Sequence, residues 1–427
     1  MSASCRRKWV ARTANPLLAN PLLANPLFAN PLLANPLFAL SLLAITLLAT
    51  ATHLFAPAPA VAEPPAALKD FRPDRLVRFA TRAEAEQRRE RLIRFIWPDG
   101  LPTRAASVSV DSPQTPEQRL ALLAGPLRGL DATSTEQLYA LDANLPRYDF
   151  STRLYLVAPV NSRKPKAQLL VIHQGHQGGL GDGIAELANA VLARGWHVLI
   201  AQMPLVGWNR DNTVKIAAGP ERTVKSHDDI FAQFATSQEP LGAPFQLFLE
   251  PIVQGVNHFV ERHPETKSIA IAGLSGGGWA THMAAALDTR IQTSFPVAGA
   301  FPMYARHFSA GSIGDAEQTF APLYGEEDSD DADTIADTAT GAASWLEIFA
   351  LGGLGDGRQQ IQILNHRDTC CFHGDVYETY SGFLERLVER LKPGRWQVHS
   401  DRTHQTHSIS PAALEKVILP VLTQDRP

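Results

Sequence analysis

Residues 268–278 read Ser-Ile-Ala-Ile-Ala-Gly-Leu-Ser-Gly-Gly-Gly. The first seven are short, apolar or β-branched, the composition of a strand buried on both faces. From Gly277 to Leu287 the pattern becomes helical. Between the two lies Gly273-Leu274-Ser275-Gly276-Gly277, a Gly-x-Ser-x-Gly motif set between strand and helix. A serine there sits on a turn so tight that its backbone is strained, and small residues two before and two after let strand and helix approach. The helix N-terminus directs its partial positive charge at the same point. Ser275 is therefore the candidate nucleophile.

Outward from this turn, strands and helices alternate. Leu154–Val157, Gln168–His173, His197–Met203, Ile291–Ala298, Ile361–Asn365 and Arg395–His399 read as strands. Ile184–Arg194, Gln246–His263, Val376–Leu391 and Pro411–Leu422 read as helices. Such alternation predicts an α/β fold with a mostly parallel central sheet flanked by helices, and chemistry at the carboxyl ends of the strands. Residues 63–147 read as an N-terminal helical extension, with helices over Thr81–Ile96 (capping box Thr81 and Glu84), Pro113–Leu123 and Ser134–Leu141. Residues 148–427 form the catalytic domain, with an insertion of about 300–358 before the acid-bearing strand. Its acidic stretch Gly325–Asp337 fails as a calcium loop, because Ala332 takes position five and Asp333 replaces the glycine at six. It reads as a solvated insertion between two strands.

The serine turn and the strand–helix order over 148–427 resemble the α/β-hydrolase superfamily, in its exported serine esterase-like branch near dienelactone hydrolases and prolyl oligopeptidases. The resemblance covers about two-thirds of the chain. It implies a catalytic triad in the chain order Ser, acid, His. Asp368 follows the strand Ile361–Asn365 and is the expected acid, ahead of Asp356, which precedes that strand. His407 lies just before the last helix and is the expected base, with His404 as the alternative. The oxyanion donors implied are the amide of Gly276 and, in the turn Gln174-Gly175-His176-Gln177, the amide of His176, with Gln177 as the fallback. Trp208 follows the strand His197–Met203, where it forms either pocket wall or core. His404, Cys370 and Cys371 are candidates to support the triad from behind. Cys370-Cys371 either pair with each other or remain buried thiols. His227-Asp228-Asp229 reads as a loop ion pair, with reach over the site from above as the alternative.

The first 62 residues read as an address. Arg6, Arg7, Lys8 and Arg12 stand with no acid, and an Asn-Pro-Leu-(Leu/Phe)-Ala repeat starts at Asn15. An uncharged apolar run follows over 37–56, then Ala60-Val61-Ala62, a small-x-small cleavage pattern. Export to the periplasm or medium is expected, with a membrane anchor through 37–56 as the alternative. Cleavage would take the net charge from −4 to −8 by removing four basic residues. Neither value gives an electrostatic reason to bind nucleic acid. With three cysteines, a disulfide scaffold and a four-cysteine zinc site are excluded. His404 and His407 are three apart, but no third ligand stands at a zinc spacing, so no metal and no cofactor are expected. The expected activity is hydrolysis of a small-molecule or polymer-borne carboxylic ester. The alternatives are a serine peptidase with the same triad and a non-catalytic binding protein of this fold.

Overall fold

The computed structural model describes residues 68, 71–105, 108–110, 115–160, 167–216, 224–309, 314–325 and 340–424. The repeat, the apolar run 37–56, the expected cleavage site 60–62 and the acidic residues 326–337 lie outside the described residues. No helix among those described is long and apolar enough to cross a membrane.

Among the described residues nine strands form one sheet: β1 (Val108–Val110), β2 (Thr135–Leu145), β3 (Phe150–Pro159), β4 (Gln168–Gln174), β5 (His197–Gln202), β6 (Ser268–Leu274), β7 (Thr293–Val297), β8 (Gln359–Asn365) and β9 (Arg395–Asp401). Their spatial order is β1-β2-β3-β5-β4-β6-β7-β8-β9. β1, β2 and β3 pair antiparallel and join β5 antiparallel; from β5 to β9 every pairing is parallel. The parallel strands carry apolar residues on both faces. Leu169, Val171, Leu199, Ile269 and Ile271 enter one layer, while Leu170, Ile172, Val198, Ala270 and Ala272 enter the other. This period of two explains why the strands read as unbroken apolar runs.

The first layer packs α1 (Arg82–Ile96), α5 (Gln246–Arg262), α6 (Gly276–Leu287), α7 (Trp345–Gly353) and α8 (Ser381–Leu391). The second packs α3 (Ile184–Leu192) and the C-terminal helical segments that begin at Pro411, with α2 (Pro116–Ala124) at its margin. α1 carries the capping box expected from Thr81 and Glu84. The segment expected as a helix over Ser134–Leu141 is instead part of the strand β2. Its Glu, Gln, Leu and Ala residues favour a helix locally. A hairpin with β3, turned at Pro146–Tyr148 and at left-handed Asp149, overrides that propensity. Thus the N-terminal region supplies helices α1 and α2 and also two strands of the sheet.

α4 (His227–Ala235) and α7 are among the helices not evident in the sequence. α4 starts at a Ser226 cap, and α7 lies within the region read as an insertion. α7 is fully buried. Its Glu347 completes a capping box with Ser344 and receives the backbone N–H and guanidinium of Arg78. Buried Arg89 and Arg358 both donate to Leu351 O, and Arg358 also to Leu354 O. They thereby satisfy carbonyls at the C-terminal end of α7, where a cation is favourable.

His282 on α6 is fully buried, with Nδ1 at 2.7 Å from Gln360 Oε1 on β8. Burial pushes its pKa down to about 3. The folded protein therefore keeps His282 neutral at pH values where the unfolded chain, at about 6.5, takes up a proton. Its contribution is intact above pH 6.5 and is lost as pH falls from 6.5 towards 3. Between pH 7 and 4.5, the urea-unfolding free energy of wild type should drop by roughly 2–3 kcal/mol more than that of His282→Gln. Equal drops would show that His282 is charged or solvated when folded.

Candidate active site

The carboxyl ends of the parallel strands are level. His173 pairs with Gly273, Leu274 with Val297, and Asn365 with Asp401. β4, β6, β8 and β9 therefore release their loops at one edge, and each loop carries a residue singled out in the sequence.

Ser275 leaves β6 at φ 60°, ψ −125°, a left-handed conformation that is strained for a residue with a side chain. Its N–H donates to Val297 O at 2.9 Å. The surrounding glycines explain how the turn fits. A Cβ on Gly273 would come 2.2 Å from Gly277 O, and one on Gly278 would come 2.6 Å from Val297 O. Gly175, in the turn after β4, touches the same backbone: its Cβ would lie 2.6 Å from Leu274 O and 2.8 Å from Gly276 N.

Asp368 follows β8 and is buried. Its Oδ1 accepts the Cys370 N–H at 2.7 Å, and its Oδ2 accepts Asn365 Nδ2 at 3.3 Å. The same Oδ2 lies 2.7 Å from His407 Nδ1. A carboxylate only accepts, so Nδ1 carries the proton and Nε2 presents its lone pair. Nε2 is buried and makes no hydrogen bond, to Ser275 or to any other described residue. His404 instead lies against Asp401, 3.4 Å from its carboxylate, and makes no hydrogen bond of its own. Asp401 is held below the usual carboxylate range: burial alone would raise it, but hydrogen bonds from Ser410 and Thr403 outweigh that. Asp356 is exposed, at the amino end of β8, beside Arg82 at 3.7 Å.

The turn after β4 joins these loops. At its far end Asp182 O accepts the Ile409 N–H at 2.8 Å, two residues past His407. At its near end the His176 ring covers Gly276, whose Cβ would meet His176 Cε1 at 2.6 Å. The His176 ring also faces Asp315, Glu317 and His227. Burial alone would lower its pKa, but the hydrogen bonds it donates to Asp315 and Glu317 outweigh that and raise the group to about 10. Glu317 is fully buried; that would raise it, yet His227 and His176 hold it well below the carboxylate range. His227, expected in a loop ion pair, is the first residue of α4.

Trp208 is turned the other way. Its Nε1 donates to Arg153 O at 2.9 Å and its ring meets Tyr155 edge-on, both on β3. Cys370 and Cys371 are joined in a disulfide within the loop that holds Asp368.

Solved structures with a similar fold include an acetyl xylan esterase from Paenibacillus sp. R4, 13% identical with a TM-score of 0.50 over 82% of this chain and 98% of that one. Acetyl xylan esterase 1 from Thermoanaerobacterium sp. JW/SL YS485 is 12% identical, with a TM-score of 0.49 over 82% and 97%. Methylesterase BT1017 is 14% identical, with a TM-score of 0.47 over 79% and 64%. No protein-family model and no curated protein sequence matches the chain.

The chain has the α/β-hydrolase fold. In an α/β hydrolase the strained serine turn, the acid loop and the histidine loop belong at one edge of the sheet, where Ser275, Asp368 and His407 lie. Sequence reading did not single out Asn365, which bridges the two loops by donating to Asp368 and to Ser408 O at 2.9 Å. It also missed Asp315 and Glu317, which stand in the region read as an insertion.

Because a Gly175 Cβ would strike backbone atoms rather than a flexible side chain, Gly175→Ala should force the serine turn to shift. A loss of about 1–3 kcal/mol is expected in urea unfolding. A neutral result would mean that the β4 turn can retreat without cost.

Proposed function

We propose that this α/β hydrolase is an exported serine hydrolase that cleaves a carboxylic ester. Ser275 is the nucleophile, His407 the general base and acid, and Asp368 the residue that orients His407. The amides of Gly276 and His176 hold the oxyanion. The observation that carries the reading is the Asp368–His407 hydrogen bond at 2.7 Å, which leaves Nε2 as the acceptor at the strand edge that bears Ser275.

In the reaction, Ser275 Oγ attacks the ester carbonyl as His407 Nε2 takes its proton. The C–O double bond opens to an oxyanion. Two preorganised N–H groups stabilise that charge as it develops, each worth about 3–4 kcal/mol in comparable sites. Collapse breaks the bond to the alcohol, which leaves with the proton from Nε2. Water, deprotonated by His407, then attacks the acyl-serine and releases the acid. Asp368 stays ionised throughout and stabilises the imidazolium. The approach of Oγ to Nε2 must reach about 2.6–3.2 Å for this transfer.

Hydrolysis of an ester rather than an amide is favoured by the similar Paenibacillus structure, an acetyl xylan esterase. Export is supported by the basic start, the apolar run and Ala60-Val61-Ala62. An N-terminal mass matching a start at Glu63 checks that step.

The test of mechanism is fluorophosphonate labelling read by intact mass. Wild type should gain one adduct, and Ser275→Ala none. Asp368→Asn should keep its fold and lose about 10⁴ in ester turnover, because the wrong tautomer of His407 then faces the serine. His407→Ala should lose labelling while His404→Ala keeps it. A folded wild type that takes no label overturns the serine mechanism and favours a binding protein. Faster cleavage of peptide amides than of esters overturns the substrate class.

A further inference from the structure

His176, His227, Asp315 and Glu317 come from three separate segments: the turn after β4, the start of α4, and residues 314–325. One ligand atom from each lies within 4.8 Å of all the others. His176 Nε2 stands 2.8 Å from Asp315 Oδ2, 3.2 Å from Glu317 Oε1 and 3.3 Å from His227 Nδ1; His227 Nδ1 stands 3.2 Å from Glu317 Oε2. Nitrogen and oxygen ligands around a tetrahedral zinc, at about 2.0–2.1 Å, are separated from one another by about 3.4 Å. Three of the four separations, 3.2, 3.3 and 3.2 Å, fall close to that spacing.

Proton accounting points the same way. His227 Nε2 lies 3.0 Å from Pro204 O. A carbonyl only accepts, so Nε2 keeps a proton and the ring is turned with Nδ1 towards the carboxylate of Glu317. His176 Nε2 faces two carboxylates with at most one proton to share between them. Glu317 is fully buried, and a buried carboxylate needs compensating positive charge, which a bound cation or the two imidazolium rings beside it would supply.

The surroundings hold these ligands as a metal site requires. The Pro204 carbonyl fixes the tautomer of His227. Asp228 Oδ1 accepts the Ala316 N–H at 3.2 Å, which ties residues 315–317 to α4. Tyr324 donates its hydroxyl to Glu317 O at 2.7 Å and itself accepts Trp279 Nε1 at 2.8 Å.

We propose that His176, His227, Asp315 and Glu317 bind one divalent transition-metal ion of the zinc class. Two imidazoles and two carboxylates, with no thiolate, suit zinc and its borderline neighbours and neutralise a 2+ charge. Through His176 the ion would clamp the turn covering Gly276 to α4 and to the 314–325 segment. The inference does not rest on the hydrolase reading, and its readout is metal binding.

The test uses the whole purified protein, stripped with EDTA and titrated with Zn2+ against a chromophoric chelator. One ion per chain is expected. His227→Gln and Glu317→Gln should weaken binding by more than about 100-fold, and Asp315→Asn by at least about tenfold. Asp315 is half exposed, so its variant decides the matter if the buried ones fail to fold. Co2+ in place of zinc should give ligand-field bands of tetrahedral strength without a sulfur charge-transfer band. Absence of stoichiometric binding, affinity unchanged in Asp315→Asn, or a sulfur band pointing to Cys370 and Cys371 would each overturn the proposal. Doubly protonated histidines paired with the two acids would then account for the cluster.

Discussion

The structure depends on the close approach of backbone to backbone around Ser275. β6 and α6 meet with no side chain between Gly273 and Gly277, Gly278 rests on Gly299, and Gly175 presses on Leu274 O and Gly276 N. Any methyl group in this cluster would fall at 2.0–2.6 Å from a backbone atom. That crowding holds Ser275 at φ 60°, since relaxing the turn would push β6, α6 or the β4 turn out of contact. The strain of one residue is paid for by the packing of a whole sheet face.

The same crowding brings the other loops into register. Parallel strands in step end together, so the β8 and β9 loops start level with the serine turn. Asn365, the last residue of β8, then links them by donating to Asp368 and to Ser408 O. The turn after β4 completes the frame: it contacts Gly276 at one end and Ile409 at the other. Asp368 is shaped more by backbone than by charge, since the Cys370 amide fills one oxygen and leaves the other for His407.

The architecture and the triad candidates were legible because each rests on local pattern. Apolar runs marked β4 to β6, glycine spacing marked the serine turn, and Ser410 with Pro411 marked the start of the last helix, hence His407 just before it. β2 was misread because Thr135–Leu141 has helix-forming residues, and only pairing with β3 makes it a strand. α7 was hidden by its neighbourhood: Trp345–Gly353 is apolar all round and short, next to acidic residues that suggested solvent. Trp208 could not be placed from spacing, because its partners Arg153 and Tyr155 are about fifty residues earlier.

The His176 cluster was illegible for the same reason on a larger scale. His176 and Glu317 are 141 residues apart, and a motif search limited to local spacing cannot join them. What joins them is the sheet. β4 and β5 are parallel neighbours, so the turn holding His176 and the segment Met203-Pro204 leave the same edge side by side. Pro204 then meets His227 at the start of α4, and α4 fixes residues 315–317. Each step is a short contact, yet the chain between them is long. The histidine whose amide is proposed to face a developing negative charge therefore has its ring committed to two carboxylates on the other side. A backbone amide donates whatever the state of its side chain, so one residue can serve both proposed roles, and the order of the carboxylate cluster becomes a condition for the order of the turn after β4.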